Sequence, residues 1–271
     1  MRAVPADVAA FTAVIVNADD FGRDETTNRG VVEAFQRGLI SSTTVMANQP
    51  GFEEAVELAH DFRLERHVGV HLVLTRGTPL TEPIRRLGRF CDQDGSFRAW
   101  VADARAWRVS GRERDAVLLE LRAQVDRVRS AGLRVTHLDS HHHVHNEWGV
   151  AGCVITIARA AAIPRVRLAR NCGPGITAAS SAYKRALNWR LRRTGLAGTR
   201  WFGEAGHWLH LRATGASPAS LDDFEVMTHP VMDSDGRLVD SVSESEDFAA
   251  LLAPVTPVRS AVSYAGARYE R

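Results

Sequence analysis

Cysteine is scarce in this 271-residue chain, which holds three, Cys91, Cys153 and Cys172, and no Cys-x-x-Cys pair. An odd, scattered set gives no disulfide framework and is the usage expected in a reducing compartment. Long apolar runs are missing too. No stretch reaches the length of a membrane span, and the N-terminus lacks a basic segment followed by an apolar core and a cleavage site. The first apolar run, Ala13 to Val16, reads instead as a buried strand. A cytoplasmic protein is therefore the expectation. An excess of one charge is also lacking: the formal net charge of +2 is too small to argue for nucleic acid as a partner. Internal repeats and low-complexity linkers are absent. So is a glycine-rich phosphate turn after the first strand, where the chain reads Asn17-Ala18-Asp19-Asp20-Phe21-Gly22. Two carboxylates there would repel a pyrophosphate, which excludes a dinucleotide site of the doubly wound type.

What remains is a composition ordinary for a globular protein, 45% hydrophobic and 24% charged, long enough to bury a substantial core. Short β-rich runs alternate with helical patterns, as in βα units around a parallel sheet. The runs Val14–Asn17, Ser42–Ala47, Val68–Leu74, Val135–Leu138, Val166–Ala169, His207–Leu211 and Glu225–Thr228 are predicted strands. Asp24 is placed to cap a helix starting near Thr26, with Gly38 after its last turn. The helix predicted over Arg112–Ala131 carries Val117, Leu121, Val125 and Val128 on one face and stops at Gly132. Another runs from Gly149 to Ala162, before Pro164. Residues 75–111, with Pro79, Pro83, Gly88 and Gly95 and little periodicity, read as a long excursion over one face. These alternations predict an α/β fold, a distorted, incomplete (β/α) TIM-like barrel forming a single domain over residues 1–271.

Chemistry-bearing residues fall at the carboxyl ends of the predicted strands, where barrel active sites are built. Asp19 and Asp20 follow the first strand, although adjacent carboxylates also suit a solvated turn or a helix cap. His71 interrupts the apolar run Val68-Gly69-Val70-His71-Leu72-Val73-Leu74, where a satisfied core histidine is the bland alternative. Five of the eleven histidines crowd into Thr136-His137-Leu138-Asp139-Ser140-His141-His142-His143-Val144-His145. His229 ends the run Glu225-Val226-Met227-Thr228-His229-Pro230. One carboxylate and two imidazoles leave positions open on a divalent cation, as a hydrolytic metal site requires. Mixed nitrogen and oxygen ligands suit zinc, cobalt, nickel or iron better than magnesium. A second carboxylate can take a proton from water, and a histidine opposite can protonate a leaving nitrogen.

At these motifs the sequence resembles the YdjC-type carbohydrate deacetylases, the family that includes chitooligosaccharide and hopanoid-associated deacetylases. The matching stretches are Val16 through Gly22, Gly69-Val70-His71-Leu72, Thr136 through His145, and Glu225-Val226-Met227 with His229-Pro230; Ser42-Thr43-Thr44, Thr78-Pro79-Leu80 and Asp94-Gly95-Ser96-Phe97 are lesser ones. The resemblance implies a distorted βα-barrel, frequently a homodimer, that hydrolyses the acetamido group of an N-acetylated sugar with one divalent metal ion (Zn2+, Mg2+, Co2+ or Ni2+). It implies that Asp20, His71 and His141 hold the metal, that Asp19 is the base and that His229 is the acid. Asp139 and His145 are expected to orient these groups or touch the sugar. Rival readings of the same residues are metal-dependent phosphoester or other ester hydrolysis, and sugar binding without catalysis.

Two weaker features stand beside the motifs. Arg165, Arg167 and Arg170 alternate along a predicted strand, followed by Lys184, Arg185, Arg190, Arg192 and Arg193 on a helix. The helical set reads as a solvated face, whereas Arg167 and Arg170 also suit contact with an anionic part of a substrate, such as a carboxylate or diphosphate. The turn Asn171-Cys172-Gly173-Pro174-Gly175 suits either an anion nest or an ordinary loop. Of the six tryptophans, Trp100 and Trp148 are the candidates to stack on a sugar ring.

Overall fold

The computed structural model describes residues 14–99, 108–196, 198–215, 221, 223–243, 247–255 and 263–266. Six strands form one parallel sheet: β1 (Ile15–Phe21), β2 (Ser42–Val45), β3 (Val68–Leu72), β4 (Leu138–Ser140), β5 (Trp201–Gly203) and β6 (Phe224–Thr228), in the order β4-β3-β2-β1-β6-β5. Every residue of β1 and β3 is buried, as expected of strands covered on both faces. The sheet is curled into a half-barrel. Beyond the β4 edge, the segment around Val166 bridges Leu138 in parallel and exchanges backbone hydrogen bonds with Leu196 and Gly198, which precede β5. A short hairpin, β7 (Pro230–Met232) and β8 (Leu238–Asp240), follows β6.

Helices α1 (Glu25–Gln36), α2 (Phe52–Asp61), α3 (Glu82–Arg85), α4 (Gly111–Ser130), α5 (Trp148–Ala160), α6 (Ala178–Arg193), α7 (Ala205–Ala213) and α8 (Phe248–Leu252) connect the strands. The Asp24 carboxylate caps α1 by accepting the Thr27 N–H. A capping box between Ser110 and Glu113 starts α4, and Gly132, at φ +82°, follows its end. Val117, Leu121, Val125 and Val128 are fully buried along α4, each aliphatic side chain contributing about 1.5–3 kcal/mol. The same face buries Glu120 and Gln124, which would be costly unless paired. Gln124 bonds both backbone groups of Val73, and Glu120 accepts the N–H groups of Leu80 and Thr81. The excursion after β3 is thereby pinned to α4.

Several predicted boundaries move. β1 continues past Asn17 to Phe21, so Asp19 and Asp20 lie in the strand and not in a turn after it. β4 starts at Leu138, with Asp139 and Ser140 inside it. The predicted strand Val166–Ala169 is reduced to the single bridge at Val166. The predicted strand His207–Leu211 is wrong: these residues lie within α7. Trp208, Leu209 and Leu211 make a short apolar-rich run over five residues, but Glu204 and His207 form a capping box that starts a helix. An apolar run of so few residues does not outweigh a cap.

Candidate active site

A bulge at the end of β1 places the two adjacent carboxylates. Successive residues of a regular strand point to opposite faces, yet Asp19 and Asp20 are 2% and 4% exposed and both reach the barrel interior. The register with β2 slips between Ala18 and Phe21, and Asp20 sits at φ +68°. This left-handed conformation costs a non-glycine residue about 1–2 kcal/mol, though aspartate tolerates it better than most. Bulges re-aim side chains in this way.

Asp20 meets two imidazoles. Its Oδ1 lies 3.2 Å from His71 Nε2 and 3.0 Å from His141 Nδ1. Potential ligand atoms of the three residues all fall within 4.8 Å of one another, and all three side chains are buried. His71 comes from β3, in register with Asp139 on β4, whose Oδ1 is 2.8 Å from His71 Nδ1. That contact puts the ring proton on Nδ1 and turns the Nε2 lone pair towards Asp20, the arrangement that prepares histidine as a ligand. A lone pair facing a carboxylate requires a cation between them or a proton on the ring. With a proton there, burial opposes the charge, but Asp139 and Asp20 push the His71 pKa up to about 10. Burial also opposes the charge on Asp20, and the bonds from His141 and His71 hold its carboxyl well below the usual range. His141 Nε2 is buried without a partner. Buried donors of this kind, converging on one point, fit a divalent cation held by one oxygen and two nitrogens.

His141 reaches Asp20 because the chain turns sharply after β4. Residues His141–Asn146 form a 3-10 turn in which His142 and His143 adopt φ of +51° and +54°. Strain of this type is retained where the surroundings hold it, commonly at functional sites. The turn separates the histidine cluster. His142 stacks on His141 and is exposed, His143 meets Phe202 edge-on, and His145 is buried with Nδ1 against Ser140 Oγ. His145 thus lies outside the Asp20–His71–His141 group. His137 stacks on Tyr264, away from that group.

Asp19 belongs to a second network, centred on Arg167. The guanidinium is fully buried and bonds both Asp19 oxygens at 2.6 and 2.7 Å, Asp139 Oδ2 at 2.7 Å and Glu225 Oε1 at 2.7 Å. These carboxylates come from β1, β4 and β6. In a flat sheet, β4 and β1, three positions apart, would be separated by roughly 14 Å. One guanidinium joins them only because the sheet is curled. Burial raises the cost of ionising Asp19, but Arg167 holds its carboxyl well below the usual range. Asn17 Nδ2 donates to Asp19 Oδ1 at 2.8 Å, and His229 Nε2 stands 4.0 Å from Oδ2. Burial pushes Glu225 up to about 7 despite Arg167, and its other oxygen accepts the Tyr264 hydroxyl. With three carboxylates around one guanidinium, Glu225 is the place for a proton.

His229 is held by its backbone. Its N–H donates to Asp240 Oδ2 at 2.8 Å and its carbonyl accepts from Ser241, so the β7–β8 hairpin folds back to grip it. Gly30 on α1 lets that hairpin approach: a Cβ there would lie 2.6 Å from Val231 Cα and 2.7 Å from Pro230 O.

All five sequence-predicted catalytic and metal positions, Asp19, Asp20, His71, His141 and His229, gather at one end of the sheet. Arg167 and Arg170 part company. The first is sealed beneath the site and is unable to touch a sugar, while the second lines a cleft of about 810 Å3 that also takes in His142, His143 and Met227. Trp148 is 41% exposed under the Arg190 guanidinium, and Trp100 lies outside the described residues. Sequence reading missed the positioning groups. Thr44 donates to Asp139 Oδ2 at 3.0 Å and lies 3.2 Å from His71 Nδ1; its signal was a polar run inside a buried strand. Glu225 stood out as a charge in an apolar strand and within a stretch matching the family, but with no role attached, and Tyr264 carried no signal.

Comparison with known proteins bears on this geometry. Residues 13–259 match the family model described as YdjC-like protein. A carbohydrate deacetylase of Brevibacillus brevis is 41% identical over 56% of this chain and 57% of its own length, and one from Geobacillus stearothermophilus is 41% identical over 59% and 61%. These matches span about three fifths of those relatives. A carbohydrate deacetylase of Vibrio vulnificus is 32% identical over 81% of this chain and 78% of its own. Among solved structures, an Enterococcus faecalis V583 protein assigned by name to cellobiose-phosphate cleavage superposes with a TM-score of 0.68 over 95% of this chain and 97% of its own, at 22% identity. That likeness bears on the fold.

Proposed function

The chain belongs to the YdjC-like protein family, and we propose on that premise that it hydrolyses the N-acetyl group of an acetamido sugar, releasing acetate. The observation that carries this reading is the division of labour between adjacent residues: Asp20 joins His71 and His141 in a cation-ready group, while Asp19 faces His229 across 4.0 Å. Asp20, His71 and His141 would hold the metal, for which one oxygen and two nitrogens suit zinc, cobalt or nickel better than magnesium. A bound divalent cation would polarise the amide carbonyl and acidify a water.

The chain's own groups supply the rest. Asp19 is ionised throughout the working range, because Arg167 grips both its oxygens, and it is the proton acceptor for the attacking water. So strongly ionised a carboxylate is a weak base, which is why it needs a water already acidified. His229, held by Asp240 through its backbone, donates a proton to the departing amine. Asp139 keeps the His71 proton on Nδ1. Arg167 fixes Asp19 and Asp139 relative to each other without meeting solvent.

The test is mass-spectrometric detection of acetyl loss across N-acetylated monosaccharides, chitooligosaccharides and sugar conjugates, using protein stripped of metal and then reloaded. Loss of one acetyl group restored by metal is expected. Release of phosphate or another ester product without acetyl loss would replace this reading with an esterase one.

A further inference from the structure

We propose that Tyr264 is a positioning residue for the base: its hydroxyl holds Glu225, Glu225 holds the Nε edge of Arg167, and the Arg167 fork holds Asp19. The inference rests on the deacetylase reading for the role of Asp19, while the contacts themselves stand apart from it. Tyr264 lies beyond residue 259, where the match to the family ends.

The contacts run beneath the site without a gap. Arg167 presents its Nη1–Nη2 edge to Asp19, one nitrogen to each oxygen, and its Nε to Glu225 Oε1 at 2.7 Å. Two fixed edges leave a planar guanidinium little freedom to turn. The Phe202 ring lies against it, 4.8 Å from Cζ. Glu225 is the joint in this arrangement. Its backbone is locked between β1 and β5, in register with Ile15 and Phe202, so only its side chain is free to move. Among the described residues the Tyr264 hydroxyl is the only donor to Oε2. Without it a buried carboxylate oxygen would be unpaired, a cost that favours turning the group away from Arg167 towards another donor.

The surroundings of Tyr264 are shaped for this contact. Its ring stacks on His137 with centroids 3.9 Å and planes 22° apart. Gly198 makes room for it, since a Cβ there would lie 2.5 Å from Cε1 and 3.1 Å from the hydroxyl oxygen. Burial, with the Glu225 charge beside it, pushes the hydroxyl well above its ordinary range, so it remains a donor. A phenylalanine would fill the same space and keep the same stack. What tyrosine adds is the hydroxyl, whose burial is unfavourable unless it is bonded. Tyr264 also lines a cleft of about 600 Å3 with Arg66, Arg134 and Thr136, residues that precede β3 and β4. It thus stands between that opening and the carboxylates around Arg167, where low polarity strengthens each bond.

The experiment compares kcat and KM for acetyl release from N-acetylated monosaccharides and chitooligosaccharides by the metal-loaded full chain, its Tyr264→Phe and Glu225→Met variants and the double variant. In Tyr264→Phe kcat should fall about tenfold or more, because misplacing a reacting group by an ångström costs up to about a hundredfold. KM should stay nearly unchanged. The double variant should be no slower than Glu225→Met alone, since Tyr264 acts through Glu225 and the two losses do not add. The rise in melting temperature of Tyr264→Phe on adding metal should match that of wild type. Full kcat in Tyr264→Phe, losses that multiply in the double variant, or a lost metal-induced rise each overturn the proposal and leave deacetylation standing. A second measurement needs no substrate. The Arg167 Nε–H, followed by proton–nitrogen NMR in heavy water, should exchange faster in Tyr264→Phe than in wild type. If the wild-type chain removes acetyl from no sugar, the deacetylase reading falls and this exchange decides. Faster exchange keeps Tyr264 as the residue that positions the Arg167 fork, and unchanged exchange overturns it.

Discussion

Arg167 and Arg170 stand three residues apart on one segment and have opposite surroundings. Arg167 is fully buried and meets carboxylates from three strands at 2.6–2.7 Å. Arg170 is half-buried in the cleft wall, its bonds going to a carbonyl oxygen and an imidazole nitrogen. Removing a cation from water is costly, and only close, well-bonded carboxylates offset that cost. Where the chain provides them, the arginine belongs to the scaffold. Where it does not, the charge remains available for something brought from outside. The sealed floor and the open wall therefore do different work, although the sequence offers the same residue type for both.

The largest effect should come from breaking the floor. Arg167→Met leaves Asp19, Asp139 and Glu225 without their shared cation, and about 3–5 kcal/mol of stability should be lost. Arg170→Met, at a partly solvated site, should cost less than about 1 kcal/mol. Urea unfolding of both variants makes the comparison; similar losses would mean that the two arginines do not differ as their surroundings say. Failure of Arg167→Met to accumulate as folded protein, where Arg170→Met does, is the same result in stronger form.

Next in size is the loss on Asp19→Asn. The amide keeps a hydrogen-bonding group against Arg167 but is no base, so kcat should fall about 10²–10⁴-fold. Asp20, His71 and His141 are untouched, and the rise in melting temperature on adding metal should persist. Activity near wild type would remove Asp19 from the role of base. Loss of the metal-induced rise would instead show that the two neighbouring carboxylates do not divide their tasks.

How much of this was legible in the sequence differs between floor and wall. The residues proposed for the chemistry, Asp19, Asp20, His71, His141 and His229, stand at the ends of apolar strands, where a charged or imidazole side chain is conspicuous in the sequence. Their contacts are not. Arg167 meets Asp19 across 148 positions of chain and Glu225 across 58, and no local spacing encodes such pairings. The bulge that turns Asp20 inward leaves no periodic trace, because a single extra residue looks like a strand simply ending, which is where the end of the apolar run placed the boundary. The two left-handed histidines that split the cluster read as a run of like residues. On the wall, the five residues His207–Leu211 are too few for their period to separate a strand from a helix, and Glu204, the capping partner of His207, lies three residues before them. The cap, not the period, marks that element.

The smallest expected effect sharpens the account of the floor. Three carboxylates around one guanidinium leave excess negative charge, and burial pushes Glu225 up to about 7 from an ordinary 4.5. A carboxyl whose pKa is raised on folding favours the folded state in its protonated form. Its contribution is complete below about 4.5, declines as pH rises through the window up to about 7, and is gone above it. Glu225→Gln imitates the protonated form, since its oxygen still accepts from Arg167 and its amide can donate to the Tyr264 oxygen. The variant should match wild type near pH 5 and exceed it near pH 8 by an amount on the order of 1–2 kcal/mol. Urea midpoints at those two pH values, taken for both proteins, read the difference directly and cancel the titration of every other group. Parallel pH dependences would place the proton elsewhere among the three carboxylates, and Asp139, which also bonds Arg167 and His71, would be the next to change.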